Sequence, residues 1–135
     1  MSLSLVYTFP IPRRTDHRGS VSFVEVGEHI PFDIKRCYYL YDVTAGESRG
    51  AHAHKALQQV FICLAGSFEI EFDDGRQKKT FRLDRPDQGL YVPPGLWRDL
   101  TNFSEGAVCF VLASMHFSEE DYIRDYDEFR QTYGD

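Results

Sequence analysis

Short β-forming runs, each closed by a turn signal, constrain this chain more than any other feature of its sequence. Val60–Leu64 ends at Ala65-Gly66, Ser67–Asp73 ends at Asp74-Gly75, and Gln77–Leu83 returns with polar residues on one side. Asp-Gly between two such runs is a strong hairpin signal, because both residues tolerate positive φ. Gly89–Val92 is short and apolar, Pro93-Pro94-Gly95 turns the chain into Leu96–Leu100, and Ala107–Ala113 is one more apolar run. Upstream, Val21–Val26 alternates, Pro31 breaks the pattern, and Ile34–Val43 is a strand-like stretch carrying Tyr38, Tyr39 and Tyr41. Many short strands with turns at near-regular spacing predict an all-β barrel or sandwich. A length of 135 residues without internal repeats predicts one domain.

The two ends differ from this pattern. Residues 5–12 read as an extended arm ending in Phe9-Pro10-Ile11-Pro12, since each proline forces its predecessor out of the helical region. At the other end, Ser118-Glu119-Glu120-Asp121 supplies a cap residue and an acidic first turn. Tyr122, Ile123, Tyr126 and Phe129 follow at helical spacing, so a short amphipathic helix over residues 118–132 is expected on the outside of the barrel.

A net charge of −6 argues against a general nucleic-acid binder or an anionic-membrane ligand. There is no run of about 18 apolar residues, and Met-Ser-Leu-Ser-Leu-Val-Tyr lacks the regions of a signal peptide. A cytoplasmic protein is expected. Cys37, Cys63 and Cys109 are an odd count inside apolar runs, and read as reduced core thiols.

The chemistry concentrates between Gly46 and Gly66. His52 and His54 sit two apart, so on a strand both imidazoles project from one face. Two inward histidines in a small pocket can hold a metal or move protons. The spacing Gly46, five residues, His52, one residue, His54, four residues, Gln59, six residues, Gly66 resembles the first signature of the cupin superfamily, with Gln59 at the usual glutamate. Pro93, Gly95 and Asn102 resemble the second signature, with Arg98 at the histidine position. This resemblance implies a double-stranded β-barrel of the jelly-roll type, to which the residues add one short C-terminal α-helix.

A narrower resemblance covers residues 13 to 130. Asp16–Ser20, Ile34–Tyr39, Arg49–Lys55, Gln59, Gly89–Val92, Trp97 and Asp121–Tyr126 are similar to the dTDP-sugar 3,4-ketoisomerases, cupins that act on dTDP-4-dehydro-6-deoxyglucose. The resemblance implies isomerisation of a sugar nucleotide without a metal or other cofactor. It also implies a homodimer built by exchange of N-terminal strands, here within residues 1–20.

The residues themselves favour proton transfer over metal chemistry. A mononuclear cupin site uses two histidines, a carboxylate and a third histidine. Here the carboxylate is the neutral amide of Gln59, and the last ligand is Arg98, which cannot lose its proton to coordinate and would repel a cation. Moving a carbonyl from C4 to C3 of a sugar needs a base at C3, a donor at C4 and stabilisation of an enediolate between them. Histidine, with an ordinary pKa of about 6.5, suits both transfers. His52 is expected as the base and His54 in proton return or orientation. Either Tyr38 or Tyr39 would aim a hydroxyl at the sugar oxygens; alternation admits only one of the two. Arg18, Arg49, Lys55 and Arg98 are the candidates for gripping the pyrophosphate, with Gln59 also in the substrate pocket. Tyr91 and Trp97 could flank the thymine or sugar, although aromatics on strands more often pack in a core. The competing readings are a sugar-nucleotide 3,5-epimerase, a non-catalytic sugar-binding sensor, and a metal-dependent cupin oxygenase. The last is disfavoured by Gln59 and Arg98.

Overall fold

The structure is a computed structural model and describes residues 2–134. A 3₁₀ turn at Ser2–Leu5 leads into β1 (Tyr7–Pro10), followed by the hairpin β2 (Arg13–Asp16) and β3 (Gly19–Ser22). The body of the chain is β4 (Arg36–Leu40), β5 (Arg49–His54), β6 (Gln59–Ala65), β7 (Phe68–Asp73), β8 (Lys78–Leu83), β9 (Gln88–Val92), β10 (Trp97–Thr101) and β11 (Val108–Ala113). A two-residue strand, β12 (Tyr122–Ile123), and one helix, α1 (Tyr126–Tyr133), complete it.

The strands form two five-stranded antiparallel sheets, in the orders β1-β9-β6-β11-β4 and β12-β5-β10-β7-β8. The expected barrel is therefore an open jelly-roll sandwich. Its core lies between the sheets, where Phe61, Cys63, Phe68, Ile70, Phe72, Leu90, Leu100, Cys109 and Val111 are buried. The continuous apolar run of β6 has a physical reason: that strand is covered on both faces. Phe61 and Cys63 point into the core, while Val60 and Ile62 join Ile11, Ile30, Phe32 and Leu112 on the outer side. The first alternating stretch is shorter than expected, since β3 stops at Ser22 and the chain then crosses the sheet.

Edge strand β4 settles the tyrosine alternation. Arg36, Tyr38 and Leu40 are half-buried, whereas Cys37 and Tyr39 are exposed. Cys37 thus departs from the core assignment that holds for Cys63 and Cys109, because the outer face of a short edge strand has no layer over it.

The C-terminal helix expected over residues 118–132 is instead three elements. Ser118 leads only into a 3₁₀ turn, Glu119–Asp121, and makes no side-chain cap. Tyr122 and Ile123 pair with His54 and Ala53, covering the free edge of β5. The helix begins at Tyr126, capped by Asp125, whose carboxylate accepts from the Asp127 and Glu128 amides. The open edge of β5 offers ladder hydrogen bonds that outweigh a helical turn, and the Asp121 side chain is drawn inward to accept from the Ala56 amide at 2.7 Å. Helix α1 is then held by Phe129, fully buried against Trp97, Ala53 and Ile123.

Phe129 is the anchor of this docking, so Phe129→Ala should cost about 3–5 kcal/mol of stability. Denaturant unfolding followed by the fluorescence of Trp97, the single tryptophan, checks this directly. A loss below about 1 kcal/mol would mean that the helix contributes little to the fold.

Candidate active site

The two sheets open at one end onto a cavity of about 550 Å³. Its wall includes Tyr38 from β4, His52 from β5, Phe61 from β6, Arg98 from β10 and Tyr122 from β12. The register between β5 and β10 shifts next to Arg98, which faces His52 across the ladder. The irregularity falls at Gly50-Ala51, where φ is +103° and +58°. A side chain at Gly50 would place its Cβ 3.0 Å from the Arg98 carbonyl oxygen. Both the left-handed backbone and the close approach call for glycine.

Both histidines have a defined tautomer. His52 Nδ1 lies 3.0 Å from the Gly50 carbonyl oxygen, and His54 Nδ1 lies 3.0 Å from Asp121 Oδ2. Each partner only accepts, so each Nδ1 carries the proton and each Nε2 keeps its lone pair. The rings meet edge to face at 4.9 Å, and the Tyr122 ring packs on them at 4.9 Å and 4.5 Å. Burial, followed by the charge of Arg98, pushes the His52 imidazole down to about 4. The same two causes lower His54 further, and its burial disfavours charge despite the Asp121 carboxylate beside it. Both rings are therefore neutral near pH 7.

Behind them, the Arg98 guanidinium is 1% exposed. It donates from Nη1 to Gln59 Oε1 and from Nη2 to the Leu96 carbonyl oxygen at 3.2 Å. Its Nε is buried with no hydrogen-bond partner among the described residues, and burial lowers its pKa to about 10. Gln59 in turn donates from Nε2 to the Tyr38 hydroxyl at 2.8 Å.

The rest of the cavity is cationic. Arg36, Arg49 and Arg124 line it with Arg98, and among the described residues no carboxylate does. Arg124 stacks on the Tyr122 ring at 4.2 Å and is held by Glu119 at 2.7 and 2.9 Å. Arg36 lies over the Tyr38 ring at 5.2 Å. Guanidinium groups, a phenol and a neutral imidazole with a free Nε2 are an arrangement that can hold a polyanion and accept a proton next to it. For a metal, the cavity wall offers His52 alone, with His54 buried beside it, and no group of three His, Cys, Asp or Glu is placed for one among the described residues.

The structure brings together His52, His54, Tyr38, Gln59, Arg98 and Arg49. Gln59 is buried behind Tyr38 rather than in the cavity wall. Tyr39 points away, 60% exposed. Lys55 is exposed just beyond β5, where its backbone turns to Asp121. Arg18 is on the exposed β2–β3 turn, paired with Asp16 at 2.7 Å, and does not line the cavity of its own chain. Tyr91 faces the outer side of its sheet, stacked on Tyr7 at 5.1 Å. Trp97 is core, packed on Phe129. Sequence reasoning missed Arg36, Asp121, Tyr122 and Arg124. The last three lie in a segment whose period fits a helix, and period alone does not show a two-residue strand closing over the site.

Comparison with known proteins gives consistent matches. The family model FdtA, described as WxcM-like, C-terminal, matches residues 6–134. The chain is 47% identical over 116 residues to a TDP-4-oxo-6-deoxy-alpha-D-glucose-3,4-oxoisomerase of Aneurinibacillus thermoaerophilus, covering 86% of this chain and 84% of that one. It superposes on a 3,4-ketoisomerase from Helicobacter canadensis with a TM-score of 0.93 at 46% identity, covering 96% and 98% of the two chains. It is also similar to the 3,4-ketoisomerase QdtA of Thermoanaerobacterium thermosaccharolyticum, solved as a histidine-to-asparagine variant with TDP-4-keto-6-deoxyglucose. There the TM-score is 0.92 at 40% identity, over 95% of this chain and 93% of that one.

The electrostatics set an expectation for pH. NMR of ¹⁵N-histidine-labelled protein should show His52 titrating near pH 4, well below the ordinary midpoint of about 6.5. Between those values the unfolded chain binds protons that the folded chain does not, so stability should fall as pH drops through this window. A His52 midpoint near 6.5 would show that burial and Arg98 do not set its charge.

Proposed function

The chain belongs to the FdtA family of WxcM-like C-terminal domains, and from that membership we propose its activity and the residues that carry it. It is a sugar-nucleotide 3,4-ketoisomerase, an intramolecular oxidoreductase that moves the carbonyl of TDP-4-keto-6-deoxyglucose from C4 to C3. The observation that carries the residue assignment is His52, a neutral imidazole with a free Nε2 on the wall of an arginine-lined cavity.

His52 Nε2 takes the proton from C3, and the electrons of that bond form the C3–C4 double bond of an enediol. The proton then returns at C4 while the C3 hydroxyl becomes the carbonyl. No electron leaves the sugar, so the exchange calls for no redox cofactor, and the positive field of Arg98 offsets the charge of the intermediate. His54 does not line the cavity; it orients His52 by its edge-on contact and is itself fixed by Asp121. Tyr38 is the tyrosine that faces the sugar oxygens. The pyrophosphate falls to Arg49, Arg124 and Arg36, which make a local cationic wall on a chain whose net charge is −6.

A homodimer with exchanged N-terminal strands is part of the same proposal. Its support is an exposed apolar set, Leu5, Tyr7, Val21, Phe23 and Val26, along the first strands. It would also give Arg18 a use, because the hairpin that carries it contributes nothing to the cavity wall of its own chain. Among the described residues no helix is long and apolar enough to cross a membrane.

Proton NMR of chelator-treated protein with TDP-4-keto-6-deoxyglucose in D₂O tests the activity. Carbonyl migration to C3 is expected, with deuterium at C4 only in the fraction of turnovers where the His52 imidazolium exchanges with solvent before the transfer, and couplings at C4 give the hand of the product. Deuterium at C3 and C5 without migration would mean an epimerase instead. His52→Asn should lose at least about 10³-fold in kcat with the fold intact; near-normal turnover would remove His52 from the base role. Sedimentation should give a dimer, and a monomer at micromolar concentration would remove the exchange.

A further inference from the structure

The hydrogen bonds behind Tyr38 have a fixed direction. A guanidinium has no acceptor atom, so the group meeting Arg98 Nη1 must be an oxygen. That requirement orients the Gln59 amide, with Oε1 on Arg98 and therefore Nε2 on the Tyr38 hydroxyl at 2.8 Å. Gln59 and Arg98 are each 1% exposed, so neither can turn to water instead. An amide nitrogen only donates. The Tyr38 oxygen accepts from it, and the phenolic proton has to point elsewhere. Among the described residues no acceptor takes that proton, while Tyr38 itself lines the cavity with His52.

We infer that Gln59 is a positioning residue that holds Tyr38 as a proton donor toward the substrate, with Arg98 fixing the sense of the relay. The inference rests on the ketoisomerase reading. Within it, His52 removes the C3 proton, the released pair forms the C3–C4 double bond, and the carbonyl π pair moves to the C4 oxygen, which takes the Tyr38 proton. The Tyr38 oxygen, still held by Gln59 Nε2, then recovers a proton from the C3 hydroxyl as the C3 carbonyl forms. The His52 proton passes to C4. Atoms and electrons balance, and both side chains end as they began.

A glutamate at this position has the same shape but the opposite polarity. Its carboxylate would still satisfy Arg98, yet it presents an oxygen to Tyr38 and accepts the phenolic proton itself. The amide is therefore not interchangeable with an acid here, and this gives the residue at 59 a function besides the loss of a metal ligand.

The test compares Gln59→Glu, Tyr38→Phe and the double variant. Chelator is present throughout, so that a carboxylate introduced at position 59 cannot recruit a metal and confuse the reading. Gln59→Glu should lose about 10²-fold in kcat with KM within about twofold of wild type. In the Tyr38→Phe background the same change should have no further effect beyond about twofold, since the group it acts through is gone. A readout without substrate accompanies it: ¹³Cζ-tyrosine NMR, with the Tyr38 signal identified by its loss in Tyr38→Phe. The Tyr38 phenol should titrate about one unit or more higher in Gln59→Glu, where a donor is replaced by an anion. Wild-type kcat in Gln59→Glu, an equal loss in both backgrounds, or an unchanged phenol titration would each overturn the proposal. If the unaltered protein fails to isomerise the sugar, the functional reading falls, and the phenol titration still decides whether Gln59 donates to Tyr38.

Discussion

The buried guanidinium of Arg98 is the constraint on which the site is built. Taking an arginine out of water is costly unless its donors are met. Here Nη1 and Nη2 have the Gln59 and Leu96 oxygens, while Nε has no partner among the described residues. Its neighbours follow from that placement. Gly50 lacks a side chain where one would strike the Arg98 carbonyl, Gln59 must turn its oxygen inward, and both histidines are held neutral in part by the charge beside them. A charge that is expensive to bury persists where the surrounding structure over-determines it, and here two strands and a bulge do so.

The closing edge of the site depends on a different bond. Asp121 is 8% exposed and accepts from both His54 Nδ1 and the Ala56 amide. It thereby fastens the segment after β11 to β5, brings Tyr122 over the two imidazoles, and leaves Arg124 at the cavity. The same segment carries the chain into α1, whose Phe129 packs on Trp97 of β10. Packing at the C-terminus and the tautomer of His54 are thus parts of one arrangement.

Much of this is legible in the sequence, for identifiable reasons. Period-two runs and turn residues reveal the strands because a half-buried pleat leaves that signature directly. His52 and His54 fall on one face for the same reason, and Gln59 and Arg98 are visibly wrong for a metal. What local pattern misses depends on tertiary context. Tyr122 and Ile123 fit a helical stripe equally well, and only the free edge of β5 decides otherwise. Trp97 and Tyr91 lie on strands whose faces are assigned by layers that local pattern does not reveal. Arg18 and Lys55 stand out by charge, yet charge alone does not distinguish a solvated cation from one aimed at a cavity; Arg36 and Arg124 join Arg49 and Arg98 as the ones so aimed.

On the proposed function, the cationic wall would also couple recognition to chemistry. In the free site Arg98 helps hold His52 near pKa 4, which secures the neutral form but makes a weak base. On the proposed function, a pyrophosphate held by Arg36, Arg49 and Arg124 would bring negative charge that opposes this field and makes the imidazole more basic. A sugar without the nucleotide would meet His52 in its weakly basic state. Selectivity for a nucleotide-linked sugar would then reside in turnover as well as in binding, since the anion that the arginines grip is also the group that prepares the base.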